Sequence, residues 1–175
     1  MDATFEDLLT ATATIARPRV ELDADGGPKT PVYEPTGESA RVRITPARSA
    51  SRDGLLGRVE DVTHVIYTEP ADIRLGDRLV TGRVAAALSE DVEAGATVLP
   101  VRSSGEIRDG ERVEVGAEER LVVAVTEESV TVASALAEGY EEGEAVRVVV
   151  RYEVLGVEDA GGMGHHMRLT AVEGG

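Results

Sequence analysis

Apolar and polar side chains alternate in short runs along most of this chain. In SARVRITP (39–46), Ala40, Val42 and Ile44 alternate with Arg41, Arg43 and Thr45, the pattern of a half-buried strand. VEDVTHVIYTE (59–69) does the same, placing Val62, His64 and Ile66 on one face and Thr63, Val65 and Tyr67 on the other, with His64 in mid-strand. ATATIARPRVEL (11–22) predicts a strand interrupted at Pro18, and PADIRLGDRLVTG (70–82) a turn at Gly76 leading into another. DADGGPKTPVYEPTGE (23–38) holds too many breakers for a regular element, and ARSASRDGLLGR (47–58) reads as a mobile loop of small and polar residues. DATFEDLL (2–9) predicts a short helix with Asp2 as its N-cap.

From residue 85 to 149 the character changes. Valines separated by acidic turns predict strands in TVLPV, ERVEVG, ERLVVAV and SVTVAS, with room for one helical turn in SALAEGYEEGEAV (134–146). VVVRYEVLGVED (148–159) and HHMRLTAVE (165–173) predict two further strands. One pattern recurs: DIRLGDRLVTG (72–82), EIRDGERVEVG (106–116) and, in its core, EEGEAVRV (141–148). Each puts a glycine at a turn, then an acid, then an apolar strand. Three unevenly spaced copies are too few for a solenoid, so the pattern reads as a shared way of entering a hairpin.

The 175 residues are 42% hydrophobic but only 3% aromatic, with no Trp and Phe5 as the single Phe, so any core is built from Val, Leu, Ile and Ala. No run matches a membrane span and no basic-then-apolar leader is present, so the expectation is a soluble protein made in the cytoplasm, without a membrane partner. The absence of cysteine excludes disulfides and thiolate chemistry. The net charge is −15, and Lys29 is the only lysine among 18 cationic residues. That usage suits a GC-rich genome or a halophilic setting, and it argues against tight nucleic-acid binding.

Candidate chemistry is sparse. His165 and His166 would point to opposite faces of a strand, but in the turn GGMGHH they could join His64 and Asp159 around an ion. No HxxxH or HExxH spacing supports that metal reading. No serine sits in a GxSxG or SxxK context, and GGMG lacks the Lys-Ser/Thr of a phosphate loop. A structural or assembly protein, not an enzyme and without a cofactor, becomes the leading class.

With 85–149 set aside, the flanks carry ATIARP, ARVRI before a small-residue loop, THVIY, DIRLGDRL, YEVLGV and a closing GHH. In that order they resemble the head-completion (stopper, or head–tail connector) proteins of tailed phages and related tailed viruses. The resemblance implies a small β-barrel core formed by 1–84 plus 150–175, in keeping with the mainly β fold with little helix that the alternation predicts. The sequence departs from the family between GDRL and YEVLGV, where 85–149 read as a second small β-module inserted at a hairpin tip. Insertion at a hairpin tip leaves the chain ends close together and adds little closure entropy. The implied structural signature is Thr63, His64, Gly76, Asp77, Tyr152, Gly156, His165 and His166, with His64 tying a loop to the barrel through its ring nitrogens and one of the paired histidines facing it.

The implied function is a virion structural protein of the neck, assembled in the host cytoplasm as a homo-oligomeric ring of twelve or six copies. The ring would meet the portal or adaptor above and the tail terminator or tail tube below, with viral DNA passing through without sequence-specific binding. A loop would close the channel; the candidate is Ser49, Ser51, Arg52, Asp53, Gly54, Leu55, Leu56 and Gly57, with Leu55 and Leu56 as an apolar plug and the glycines as hinges. Residues 23–38 are a rival for that role, and an ordinary solvent loop is the plain alternative. Another neck or tail component, an adaptor or tail terminator, and a His-based metal-binding protein remain as other readings.

Overall fold

The computed structural model describes residues 8–22, 24–25, 27, 29–47, 62–159 and 167–174. The fold is mainly β: strands account for 60% of the described residues and helix for 1%. The strands are β1 (Ala11–Arg19), β2 (Val32–Pro46), β3 (His64–Thr68), β4 (Arg78–Ala87), β5 (Val98–Pro100), β6 (Arg112–Val115), β7 (Glu118–Val125), β8 (Ser129–Val132), β9 (Ala145–Asp159) and β10 (Met167–Gly174). They belong to two compact units, Met1–Thr81 with Arg151–Gly174, and Gly82–Val150. The sequence had placed these breaks beside residues 85 and 149.

In the first unit β1 pairs antiparallel with β2, β2 with β3, β3 with β10, and β10 with the second half of β9. The free edge of β1 takes the start of β4, through Thr14↔Val80, Ile15↔Leu79 and Ala16↔Arg78. Just before β4, the Gly76 N–H donates to the Val154 carbonyl and the Val154 N–H donates to the Asp77 carbonyl. The hydrogen bonding is therefore ring-like. Ile15, Val42, Ile66, Leu79, Val154 and Leu169 fill the interior, and Ala13 lies opposite Ala40. Small and β-branched side chains suffice to fill so narrow an interior, which explains how a core forms with almost no aromatic residues.

In the second unit β6 pairs with the first half of β9 and with β7, β7 with β8, and β8 with β5. Its core is separate: Leu88, Leu99, Val101, Val113, Val130 and Val146 are among its fully buried side chains.

The recurring glycine pattern has a common geometry. Gly76, Gly110 and Gly143 have φ of 84°, 85° and 88°. Each donates its N–H to the carbonyl of a buried apolar residue on another segment, Val154, Val122 and Leu88, at 2.8, 3.0 and 3.0 Å. That residue donates back to the carbonyl following the glycine, Asp77, Glu111 or Glu144. A fourth copy stands at Gly95, which exchanges the same pair of bonds through Ala96 with Leu136. Its sequence conceals it because alanine replaces the acid. A left-handed glycine here lets the chain reverse while both backbone groups stay paired.

The structure corrects several expectations. Residues 32–38 are strand, not loop: β2 begins at Val32, and its breakers are absorbed where the register shifts between Thr14 and Ala16 of β1. Gly37 takes φ 81° there, and Thr36 Oγ1 bonds the Ile15 carbonyl and the Glu38 N–H. Pro18 does not interrupt β1, because β4 pairs only with Thr14–Ala16 and Pro18 lies past that ladder, an edge position proline tolerates. His64 opens β3 instead of lying in mid-strand. No helical turn forms in 134–146; that stretch is held by the Val92↔Tyr140 bridge and turn bonds. The helix expected over 2–9 lies outside the described residues except at Leu8 and Leu9.

Candidate functional site

Two polar clusters in the first unit gather most of the described signature residues. The first is built on Asp77, whose side chain is 1% exposed. It follows Gly76 in the turn, so its carboxylate folds back to accept the Arg74 N–H at 2.9 Å. From β1, Arg17 donates through Nε to Oδ1 at 3.1 Å and through Nη2 to Oδ2 at 3.0 Å. Arg17 Nη2 also reaches the Asp72 carbonyl at 2.8 Å. The hydrogen bonds that Arg17 donates to Asp77 hold its guanidinium charged even beyond its usual range. Asp72, hydrogen-bonded by Arg74 and beside Arg17, is held below the usual carboxylate range. A buried carboxylate with bidentate arginine and backbone partners is a latch between β1 and the turn before β4.

The second cluster centres on Thr63 and His64. The Thr63 N–H donates to the Ala171 carbonyl at 3.1 Å, and its hydroxyl oxygen accepts the Glu173 N–H at 2.8 Å. His64 Nδ1 lies 2.9 Å from that hydroxyl and Nε2 lies 3.7 Å from Glu173 Oε2. The ring meets Tyr152 of β9 edge to face, with centroids 4.9 Å apart at 70°. A hydroxyl, an imidazole and a carboxylate in sequence invite comparison with a nucleophile relay. The hydroxyl also meets the backbone, the Ala171 carbonyl at 3.4 Å and the Glu173 N–H at 2.8 Å, and the imidazole packs on a buried tyrosine. The arrangement pins β3 to β10 and β9.

Gly156 stands opposite Thr170 in the β9–β10 pair, and a Cβ there would lie 2.5 Å from Thr170 Oγ1. Ser49, Ser51, Arg52, Asp53, Gly54, Leu55, Leu56, Gly57, His165 and His166 lie outside the described residues. Among the described residues no three of His, Asp or Glu gather as an ion would require, and no helix is long and apolar enough to cross a membrane.

Sequence reasoning missed Arg17 and Glu173, whose roles depend on contacts 60 and 110 residues apart in the chain. It also missed a tie in the second unit. Glu118 accepts the Ala137 and Glu138 N–H groups and the Tyr140 hydroxyl, and pairs with Arg120. The Ala137 N–H is the largest of the influences that hold Glu118 below its usual range, while burial and Glu118 push Tyr140 up to about 12.

No protein-family model matches the chain, and no curated protein matches it.

Proposed function

We propose that this protein is a head-completion protein of a tailed virus, forming a ring below the portal or adaptor that closes the DNA exit channel and docks the tail. The observation that supports this reading is the convergence of the pieces of sequence that resemble the stopper family. Arg17 of ATIARP holds Asp77 of DIRLGDRL, and the DIRLGDRL turn exchanges two backbone bonds with Val154 of YEVLGV. Ile44 of ARVRI pairs with Ile66 of THVIY, whose histidine packs on Tyr152 of YEVLGV. Five pieces scattered over the chain thus form one connected set, although residues 82–150 separate DIRLGDRL from YEVLGV.

In this reading the two clusters hold the first unit together, and the channel-closing role falls to residues 49–57, which lie outside the described residues. A surface rich in carboxylates keeps DNA from adhering as it leaves. Electron microscopy of particles lacking this gene tests the reading. Tailless heads without DNA, beside free tails of normal length, are the expected result; full, tailed particles would overturn it.

A further inference from the structure

The outer face of the first unit carries a row of side chains set by strand register. Arg43 of β2 lies opposite Tyr67 of β3, Tyr67 opposite Arg168 of β10, and Arg168 opposite Glu158 of β9. Paired residues share a face, so these four stand side by side across four strands. Arg168 donates to Glu158 at 2.7 Å, but Arg43 is exposed and its guanidinium has no partner among the described residues. A row of arginine and tyrosine is the composition of an interface centre, where a planar guanidinium gives up water more readily than an ammonium would.

The complementary feature is in the second unit, where residues 82–150 hold 15 acidic residues against 6 arginines. Glu127 and Glu128 form the exposed tip of the β7–β8 hairpin, and no partner holds their carboxylates among the described residues. The tip itself is fixed: the Glu128 carbonyl accepts the Val101 N–H at 2.9 Å, the Glu127 carbonyl accepts the Ser104 N–H at 3.2 Å, and Thr126 N–H bonds the Ser129 carbonyl at 2.9 Å. A held backbone presenting two free carboxylates is preorganised for arginine.

We propose that the Arg43–Tyr67–Arg168 row receives the Glu127–Glu128 tip of a neighbouring copy of this chain. The contact is heterologous, since one copy offers the row and the next the tip, and such contacts close into rings when the rotation allows. The inference rests on the ring reading and gives the inserted unit its partner.

Sedimentation velocity and native mass spectrometry of the full-length protein test it. The wild type self-associates at about 0.1 M salt, where screening reaches roughly 10 Å, and dissociates at about 1 M, where it reaches roughly 3 Å. Arg43→Glu and Glu128→Arg each weaken association about tenfold or more, and the double variant recovers most of that loss. Arg43→Gln gives an intermediate effect, and unchanged circular dichroism shows that each variant is folded. A wild type that stays monomeric, an Arg43→Glu protein that associates normally, or a double variant without recovery each overturns the inference. If heads lacking the gene lose their tails yet Arg43→Glu protein restores them, the docking pair is wrong and the stopper reading stands.

Discussion

The latch at Asp77 permits a quantitative test, because the structure supplies its own control. Asp77 and Glu111 occupy the same place in two copies of one turn, and each accepts the N–H three residues before it, from Arg74 and Arg108, at 2.9 Å. Only Asp77 also binds a guanidinium. Removing the Glu111 carboxylate therefore deletes one hydrogen bond and costs about 1 kcal/mol. Removing Asp77 deletes that bond and two charge-assisted ones. Each of those is nominally worth roughly 1.5–3 kcal/mol, but the Arg17 side chain keeps 31% exposure and the Asp72 carbonyl, so it remains partly satisfied. About 2 kcal/mol is left for the pair, and Asp77→Ala should cost about 3 kcal/mol in total. Urea denaturation followed by circular dichroism measures both variants. Hydrogen exchange read by mass spectrometry shows where protection is lost: for Asp77→Ala, in 11–19 and 72–82. If Asp77→Ala costs no more than Glu111→Ala, or if protection falls mainly in 82–150, the latch is not what holds β1 to the turn.

Gly156→Ala should destabilise the protein by about 1–2 kcal/mol through the clash with Thr170 Oγ1, and Thr170→Ala in the same chain should recover most of it, both read from urea midpoints. Tyr140 is raised above its ordinary 10.0 to about 12, so the folded state favours the neutral phenol. Its contribution is complete below pH 10 and is lost as pH rises toward 12, visible as late tyrosinate absorbance that Tyr140→Phe abolishes. Glu118 is lowered from 4.5, so its contribution is present above that pH and is lost as pH falls below it; Glu118→Gln should flatten that acid limb of a stability–pH curve.

Alternation alone carried the β class, because half-buried strands leave a period of two that needs no partner to be read, as in SARVRITP. The glycine turns were equally legible, since a left-handed residue before an acid leaves a local mark. What escaped depends on neighbours in space. Val32–Glu38 joins β2 only because β1 supplies a long partner and because a bulge at Gly37 takes up the extra residues, so its Pro35 and Gly37 mislead a local reading. Gly95 was hidden by an alanine where its sister turns carry an acid. At the candidate site, nothing near Asp77 in the sequence announces that Arg17 will cover it, and Glu173 reaches Thr63 only through the β3–β10 register. His64 stood out in the sequence and Tyr152 came from the resemblance; their meeting depends on where β9 and β3 flank β10, which no local pattern encodes.

The most direct measurement of the central claim is complementation outside the cell. Heads that lack this protein are packaged with DNA in vitro with or without the purified chain, mixed with free tails, then challenged with nuclease and imaged by electron microscopy. The stopper account predicts that the added protein binds the portal vertex, protects the packaged DNA and joins tails to heads. Heads that join tails equally well without it, or that never bind it, would contradict the account.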